Sequence, residues 1–239
     1  MTMAESGSVG QWPLRVATAA IVLFVLGPVA AHFDVVPPIA GFGLFVLGGV
    51  VGLLNSFAGV VALRRGGRGR AIAAIVLSEI PALLLIYASA RGFGKPTIND
   101  ITTDLAEPPN LVHAQSHPGN TGRDMVYPEA FKDLVRAGYP DLKPLQLKEP
   151  PDQVFAQAVR LAQQHPGWQV TYVNGTSRIF EGVATSDLFR FHDDFAVRVR
   201  PDDGGSVVDM RSKSRDGKGD LGANAERIRS FLVDIASGK

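Results

Sequence analysis

The chain contains no cysteine. This absence excludes disulfides, thiolate metal sites and a cysteine nucleophile together. Net charge is almost absent as well, because 24 Lys and Arg residues stand against 23 Asp and Glu residues, for a formal charge of +1. No overall field therefore attracts the protein to acidic polymers, and we expect no nucleic-acid partner.

Charge is also missing from long stretches of the N-terminal third. Residues 16–33, 35–63 and 71–90 contain one charged side chain in total, Glu79. Each stretch is long enough to cross a bilayer as a helix, which takes roughly 20 apolar residues. The first stretch has an alternative, a cleaved signal peptide that ends at "PVAA", so its retention stays open. We predict a transmembrane region over residues 1–91, with helices near residues 14–31, 39–63 and 71–90.

The segments that connect these helices differ in charge. The first, "HFDVVPP", has no Lys or Arg, whereas the second, "RRGGRGR", contains Arg64, Arg65, Arg68 and Arg70. Cytoplasmic loops carry an excess of Lys and Arg, so the arginine-rich link is expected in the cytoplasm. Arg91 and Lys95 oppose this only weakly. We predict a multi-pass protein of the bacterial inner (plasma) membrane with a cytoplasmic N-terminus and an extracytoplasmic C-terminal domain.

Two polar or small-residue features lie inside the predicted helices. Glu79 and Asn55 are equally far from the arginine-rich link, so we expect them to hydrogen-bond within the membrane. A proton relay is the alternative. Small residues recur at four-residue spacing in the second helix, which allows another helix to approach closely, either within the chain or in a homodimer. These residues are Gly48, Gly52 and Ser56.

The composition changes after the third helix. Residues 92–151 are rich in proline and in short polar runs, which limits regular structure. Apolar residues such as Ile98 and Leu142 are too frequent for a free linker. We expect this segment to wrap around the domain that follows.

Residues 152–239 have the pattern of a small α+β domain. A helix capped by Asp152 is expected first, then the strands "WQVTYV", "RIFEGVAT", "DFAVRVR" and "SVVDMRS", and a helix near Asp220. The short links at Asn174-Gly175 and "DDGG" indicate antiparallel neighbours. We predict an α+β fold class: a three-helix transmembrane region followed by a four-stranded antiparallel sheet covered by two helices.

Alternation along the last two strands places arginines and carboxylates on one polar face. Basic and acidic residues are equally frequent between Arg190 and Ile228, which favours a self-paired, solvated charged face over a nucleic-acid patch. A ligand or anion site is the alternative. Its candidate residues are Arg198, Arg200, Asp209, Arg211, Ser212, Arg215, Asp220 and Asn224.

Gly217, Gly219 and Gly222 match the pattern G-x-G-x-x-G. A dinucleotide-binding loop needs a parallel βαβ unit, and the strands before this loop are expected to be antiparallel. The glycines are therefore assigned to a strand-to-helix turn in which Asp220 caps the last helix. The helix N-terminus is still compatible with a carboxylate or phosphate.

The same residues carry a family resemblance. The run "VDMRSKSRDGKGDLGANAERIRSFL", together with "INDITTD", "YPDLKPL", "GW" and "FHDDFAVRVR" in that order, resembles the family catalogued as domain of unknown function 1499 (DUF1499). The resemblance covers about residues 96–235. It implies an envelope or organelle-lumen domain, often tethered by membrane helices, with no established activity. This chain has Lys213 and "RDGKGD" where the family more often has a small residue and "RVGRSD".

Catalytic and metal-binding patterns are weak. His113 and His117 would share a metal only on a helix, and Ser212 lacks a G-x-S-x-G elbow or a partnered base. We therefore predict no metal, no cofactor and no catalytic residue. A different feature is "DLFRFH", whose apolar side chains cluster at a hairpin end, where they would contact lipid or a partner unless the proline-rich segment covers them. They are Leu188, Phe189 and Phe191.

These observations predict a membrane protein that presents an extracytoplasmic binding or envelope-organising module. Its partners would be the lipid bilayer and an envelope protein or lipid. The alternative function is an envelope enzyme that uses the Asp/Arg/Ser polar face of the sheet.

Overall fold

A computed structural model of the protein describes residues 10–66, 68–90 and 92–238. Its contacts divide the chain into two units, the first of Met1–Phe93 with Asp187–Arg190, the second of Gly94–Ser186 with Phe191–Lys239. The N-terminal residues 1–9, predicted to be cytoplasmic, and Arg91, used in the orientation argument, lie outside the described residues.

Three long apolar helices form most of the first unit. They are α1 (Gln11–His32), α2 (Pro38–Arg64) and α3 (Arg68–Ala90). Each is long and apolar enough to cross a membrane. Pro38 suits the first turn of α2, because a proline lacks only an N–H that would have no partner there. The chain therefore carries three helices that are compatible with membrane anchoring.

The small residues of α2 contact the other helices of the same chain. A side chain at Gly48 would lie 2.6 Å from the carbonyl oxygen of Ala20 in α1, and one at Gly52 would lie 2.7 Å from that of Ser78 in α3. Ser56 is buried and donates to the carbonyl of Gly52. This ridge thus packs within the chain, which is one of the two alternatives that the spacing allowed.

Asn55 makes different contacts from those predicted. Its Nδ2 donates to the carbonyl of Pro13 at 2.8 Å and to Oγ of Ser78 at 2.9 Å. Among the described residues no hydrogen bond joins it to Glu79, which is only half-buried. Ser78 and Glu79 are neighbours in α3, and neighbouring residues of a helix are turned by about 100° from each other. Equal distance from the arginine-rich link therefore indicated the right turn of α3, but the partner of Asn55 is Ser78 rather than Glu79.

The second unit is built on one antiparallel sheet. Its strands are β1 (Asp100–Thr102), β2 (Leu145–Leu147), β3 (Trp168–Asn174), β4 (Ile179–Thr185), β5 (His192–Asp202) and β6 (Gly205–Ser214). Their order is β1-β6-β5-β4-β3, and β2 also pairs with β6. The predicted α+β class is confirmed, but the sheet has six strands rather than four. The two additional strands have three residues each, too few for alternation to reveal them.

Three helices cover the core face of this sheet. They are α5 (Glu129–Gly138), α6 (Pro151–Gln164) and α7 (Ala223–Ala236), whose buried residues join the sheet core. The short helix α4 (Val112–Gln115) lies on the opposite face, where Ala114 is buried with Ala196 of β5. The start of α6 differs from the prediction. Pro150 is its N-cap, without a side-chain cap bond, and Asp152 instead forms an exposed ion pair with Arg178.

The core lies between the sheet and helices α5, α6 and α7. Phe180 and Phe195 of the sheet are fully buried and meet Phe155 of α6 and Phe231 of α7. The ring of Trp168 contacts those of Phe195 and Phe231 in tilted arrangements, with ring centroids 4.5 and 5.0 Å away. Full burial of a large apolar side chain contributes about 1.5–3 kcal/mol, so this cluster is a main source of stability.

Candidate functional site

The sheet face opposite α6 and α7 carries the charged side chains. Alternation places Val208 and Met210 in the core and sends Asp209 and Arg211 to the other face. Both charged residues are fully buried, because parts of the proline-rich segment lie over them. The expectation of a solvated charged face is therefore wrong for these residues.

One group of buried charges forms the Asp100 cluster, which consists of Asp100, Arg211 and Lys213. Arg211 binds the carboxylate with two hydrogen bonds, from Nε to Oδ1 at 2.9 Å and from Nη2 to Oδ2 at 2.8 Å. Lys213 Nζ adds a third bond to Oδ2 at 3.0 Å. One carboxylate thus faces two cations in a region without water access.

The proline-rich segment supplies the remaining partners of Arg211. Its guanidinium donates to the carbonyl oxygens of Pro109 at 3.2 Å and Met125 at 2.8 Å, and it lies 5.2 Å from the ring centre of Tyr127. Burial raises the pKa of the Tyr127 hydroxyl well above its usual range, and the charge of Asp100 adds to the effect. Arg211 therefore fastens this segment to the sheet.

A second group of charged residues is partly buried, and its positive and negative charges are equal in number. Asp104 and Asp209 face Arg198 and Arg200, whose Nη2 atoms both donate to Asp104 Oδ2 at 3.0 Å. Asp209 Oδ2 accepts from Nε of Arg198 at 3.2 Å and from Nε of Arg200 at 2.9 Å. The bond to Asp209 raises the pKa of Arg200 against the effect of burial. Two carboxylates and two guanidiniums neutralise each other here.

Arg215 belongs to a third pair on the same face. Its guanidinium binds Asp194 with bonds of 3.0 Å from Nε and 2.6 Å from Nη2. Asn120 Nδ2 donates to the same carboxylate at 2.8 Å. Asn120 belongs to the 3-10 turn Pro118–Asn120, so this pair also connects the proline-rich segment to the sheet.

Ser212 points to the other face of the sheet. Its hydroxyl donates to Asn224 Oδ1 at 2.7 Å and accepts from Arg227, which also binds Asp193. These contacts attach β6 to the start of α7. The sheet thus separates Ser212 from Asp209 and Arg211. These side chains do not share the single Asp/Arg/Ser face on which the alternative enzyme function depends.

Asp220 lies two residues before Gly222, which is the N-cap of α7 in place of the predicted Asp220. Its two carboxylate oxygens accept the backbone N–H groups of Gly222 and Asn224, each at 2.8 Å. Burial raises the pKa of Asp220, and these two backbone bonds oppose the rise. The glycine pattern therefore forms a strand-to-helix turn whose anion position is taken by the protein's own carboxylate. The eight predicted ligand-binding residues lie on both faces of the sheet and do not converge on one site.

A cavity of about 410 Å³ lies beside the buried charges, over β3 and β4. His113 and Tyr172 form one wall, with ring centroids 5.2 Å apart and planes tilted by 15°. Glu181 is buried at the cavity, where its carboxylate accepts the backbone N–H groups of His113 and Ala114 at 2.9 and 2.8 Å. Arg198, apolar residues such as Ile179, and the uncharged polar residues Asn110, Ser116 and Ser177 complete the lining. The cavity thus combines an aromatic wall, apolar surface and two charged groups.

His113 and His117, the two histidines considered as metal ligands, make separate contacts. His117 Nδ1 accepts from the N–H of Gly119, while His113 stacks on Tyr172. Asp193 and Asp194 bind arginines on opposite faces of the sheet. In the part of the chain that the structure describes, no three His, Asp or Glu side chains are grouped for a metal ion.

The apolar residues predicted at the hairpin end, Leu188, Phe189 and Phe191, fall into different units. Leu188 and Phe189 belong to the first unit, in which Phe189 is buried and lies 5.4 Å from the rings of both Phe42 and Phe45. Leu188 is 55% exposed. Phe191 is half-buried, and its N–H donates to Ser186. The cover of Phe189 therefore comes from aromatic rings of α2, and the three residues form no single exposed patch.

Sequence reasoning missed several residues of the proline-rich segment and of the cavity. Asp100, Asp104 and Glu181 are buried carboxylates that had no assigned role, and Tyr172 was seen only as part of a strand. One signal was present, because Asp100 and Asp104 flank the strand-like residues "ITT". The pairing of those acids with arginines far along the chain had no local signal.

Comparisons with known proteins agree with the earlier resemblance. The model of the family described as "Protein of unknown function (DUF1499)" matches residues 100–235, which is most of the second unit. A comparison with curated proteins gave no match.

Proposed function

Since this chain belongs to the DUF1499 family, whose model covers most of its second unit, we propose that it is a membrane-anchored binding module that holds a small amphipathic molecule. The second unit would face the extracytoplasmic side of a bacterial inner membrane. The observation that carries the proposal is the cavity lined by His113, Tyr172, Glu181 and Arg198.

The distribution of arginines supports this orientation. Arg64 ends α2, while Arg68 and Arg70 lie in the first turn of α3, so they gather at one end of the helices together with Arg65. The connection between α1 and α2 has no Lys or Arg. The positive-inside rule then favours a cytoplasmic link between α2 and α3, which directs the chain after α3 outward.

The lining of the cavity indicates the class of ligand. Concave sites with apolar walls and a few placed polar groups are the usual sites for small molecules. The stacked His113 and Tyr172 rings present a flat surface for an apolar or aromatic body. Arg198 uses Nε and Nη2 for its bonds to protein acceptors, and Nη1 makes none among the described residues. A ligand with an acceptor group at one end fits this arrangement.

Filling the cavity is expected to remove the bound molecule. Ser116 lines the cavity and is exposed, whereas its neighbour Gln115 is exposed but does not line it. In full-length protein purified from its native membrane, native mass spectrometry should detect a small molecule on the parent and on Gln115→Trp. Ser116→Trp should lack that added mass.

The neighbouring tryptophan controls for a general effect of a bulky aromatic side chain. Thermal unfolding of both variants near the parent midpoint would show that the second unit is intact. If Ser116→Trp carries the molecule as fully as the parent, or if the parent carries none, the binding role assigned to this cavity is wrong.

A further inference from the structure

A separate apolar pocket of about 550 Å³ lies within the first unit. Its walls come from all three helices and from one residue of the segment Asp187–Arg190. Phe24 and Val29 of α1, Phe45 of α2, Leu84 of α3 and Leu188 are among its lining residues. These positions fall in the last part of α1, the first half of α2 and the last part of α3. The pocket therefore opens at the end of the helices away from the arginine-rich link.

The walls of this pocket are almost entirely apolar. Among the described residues of the lining, His32 is the one with a polar side chain, and its Nδ1 is bonded to the carbonyl oxygen of Asp187 at 2.9 Å. Val29 and Leu84 remain about half exposed, at 45% and 48%. Water would find too few hydrogen-bond partners in such a pocket, and an empty space would forfeit the dispersion contacts of its walls.

The position of the pocket along α1 identifies what fills it. Phe24 and His32 are eight residues apart, which corresponds to about 12 Å along a helix. This depth is close to one leaflet of a hydrocarbon core that is about 30 Å thick. His32 lies at the end of α1, where a helix of this length reaches the interface. A chain that enters beside His32 would thus run parallel to the helices into the bilayer.

We propose that this pocket holds one acyl chain of a bilayer phospholipid, with its head group beside His32. Leu188 covers the interfacial end, because the segment that carries it is fixed through the buried Phe189 and the backbone of Asp187. In a bilayer, the gain comes from van der Waals packing against the aromatic and aliphatic walls. The inference rests on membrane insertion of the helices and is independent of the cavity over β3 and β4.

A tryptophan in the pocket is expected to displace the lipid. The probe is palmitoyl-oleoyl-phosphatidylethanolamine, added to delipidated full-length protein in detergent and counted by native mass spectrometry. The parent should retain one phospholipid under conditions that strip detergent. Val29→Trp should retain none. Val22→Trp is the matched control, because Val22 lies two turns earlier on the same side of α1, is 52% exposed and does not line the pocket.

The comparison of the three proteins distinguishes a phospholipid bound in the pocket from phospholipid bound non-specifically. Retention by the parent and by Val22→Trp, with loss in Val29→Trp and an unchanged helical circular dichroism spectrum, supports the site. Equal retention in all three proteins, or none in the parent, overturns it. A retained mass that matches a free fatty acid also overturns it, because the source would not be a phospholipid. Loss of the small molecule in Ser116→Trp leaves this result untouched.

Discussion

Replacing Asp100 by alanine is expected to destabilise the second unit by about 3–5 kcal/mol, because it leaves Arg211 and Lys213 buried without their shared carboxylate. Unfolding of the full-length protein by guanidinium in detergent measures the effect. Trp168 reports on the core, since its ring contacts those of Phe195 and Phe231. A Trp12→Phe background removes the one other tryptophan.

An exposed ion pair provides the control for this substitution. Asp152 binds Arg178 at the surface, and Asp152→Ala should leave the denaturation midpoint unchanged within error. Exposed pairs are screened by water and gain little from their charges. If the denaturation midpoint of Asp100→Ala equals that of the parent, the stabilising role assigned to the Asp100 cluster is wrong.

Adding one methyl group at Gly48 should loosen the contact between α1 and α2. The new Cβ would lie 2.6 Å from the carbonyl oxygen of Ala20 and from the backbone nitrogen of Phe24, neither of which can move alone. Overpacking of this kind costs about 1–3 kcal/mol. The loss should appear as a lower midpoint for SDS-induced unfolding of the full-length protein, followed by circular dichroism.

Gly43 in the same helix is the matched control. A side chain at that position meets nothing within 4 Å, so Gly43→Ala introduces no clash. Alanine also favours helix over glycine by about 1 kcal/mol, which makes a neutral or slightly higher midpoint the expected result. Equal midpoints for Gly48→Ala and Gly43→Ala would mean that the two helices do not pack through Gly48.

The parts of the fold that local patterns determine were predictable. Three apolar stretches predicted three long helices, and β5 and β6 follow from runs in which apolar and charged residues alternate, joined by a glycine turn. The α+β class followed from these elements. In each case, residues close together in the chain form the structure, so their spacing carries the information.

The buried charged layer was not predictable in the same way. Alternation correctly sends Arg198, Asp209 and Arg211 to one face, but it does not tell whether that face meets water. The outcome depends on Asp100 and Asp104, which lie about a hundred residues before their partners. Balanced charge between Arg190 and Ile228 suggested pairing among those residues, whereas two of the essential carboxylates come from the proline-rich segment.

The cavity, like the buried charged layer, is formed by residues that lie far apart in the sequence. Its aromatic wall pairs His113 of a short helix with Tyr172 of β3, and its floor is a strand carboxylate that accepts two N–H groups of that helix. None of these contacts has a regular spacing in the sequence. The sequence pattern therefore indicated His113 only as a potential metal ligand, whereas the structure stacks it on Tyr172.

The most direct test of the account is the side of the membrane on which the second unit lies. The chain lacks cysteine, so Ser237→Cys at the exposed end of α7 gives one thiol for a membrane-impermeant reagent. Gly69→Cys, at the start of α3 with open space around it, is the cytoplasmic control. In intact spheroplasts, the account predicts labelling at position 237 and protection at position 69 until lysis. Labelling at position 69 with protection at 237 would contradict it.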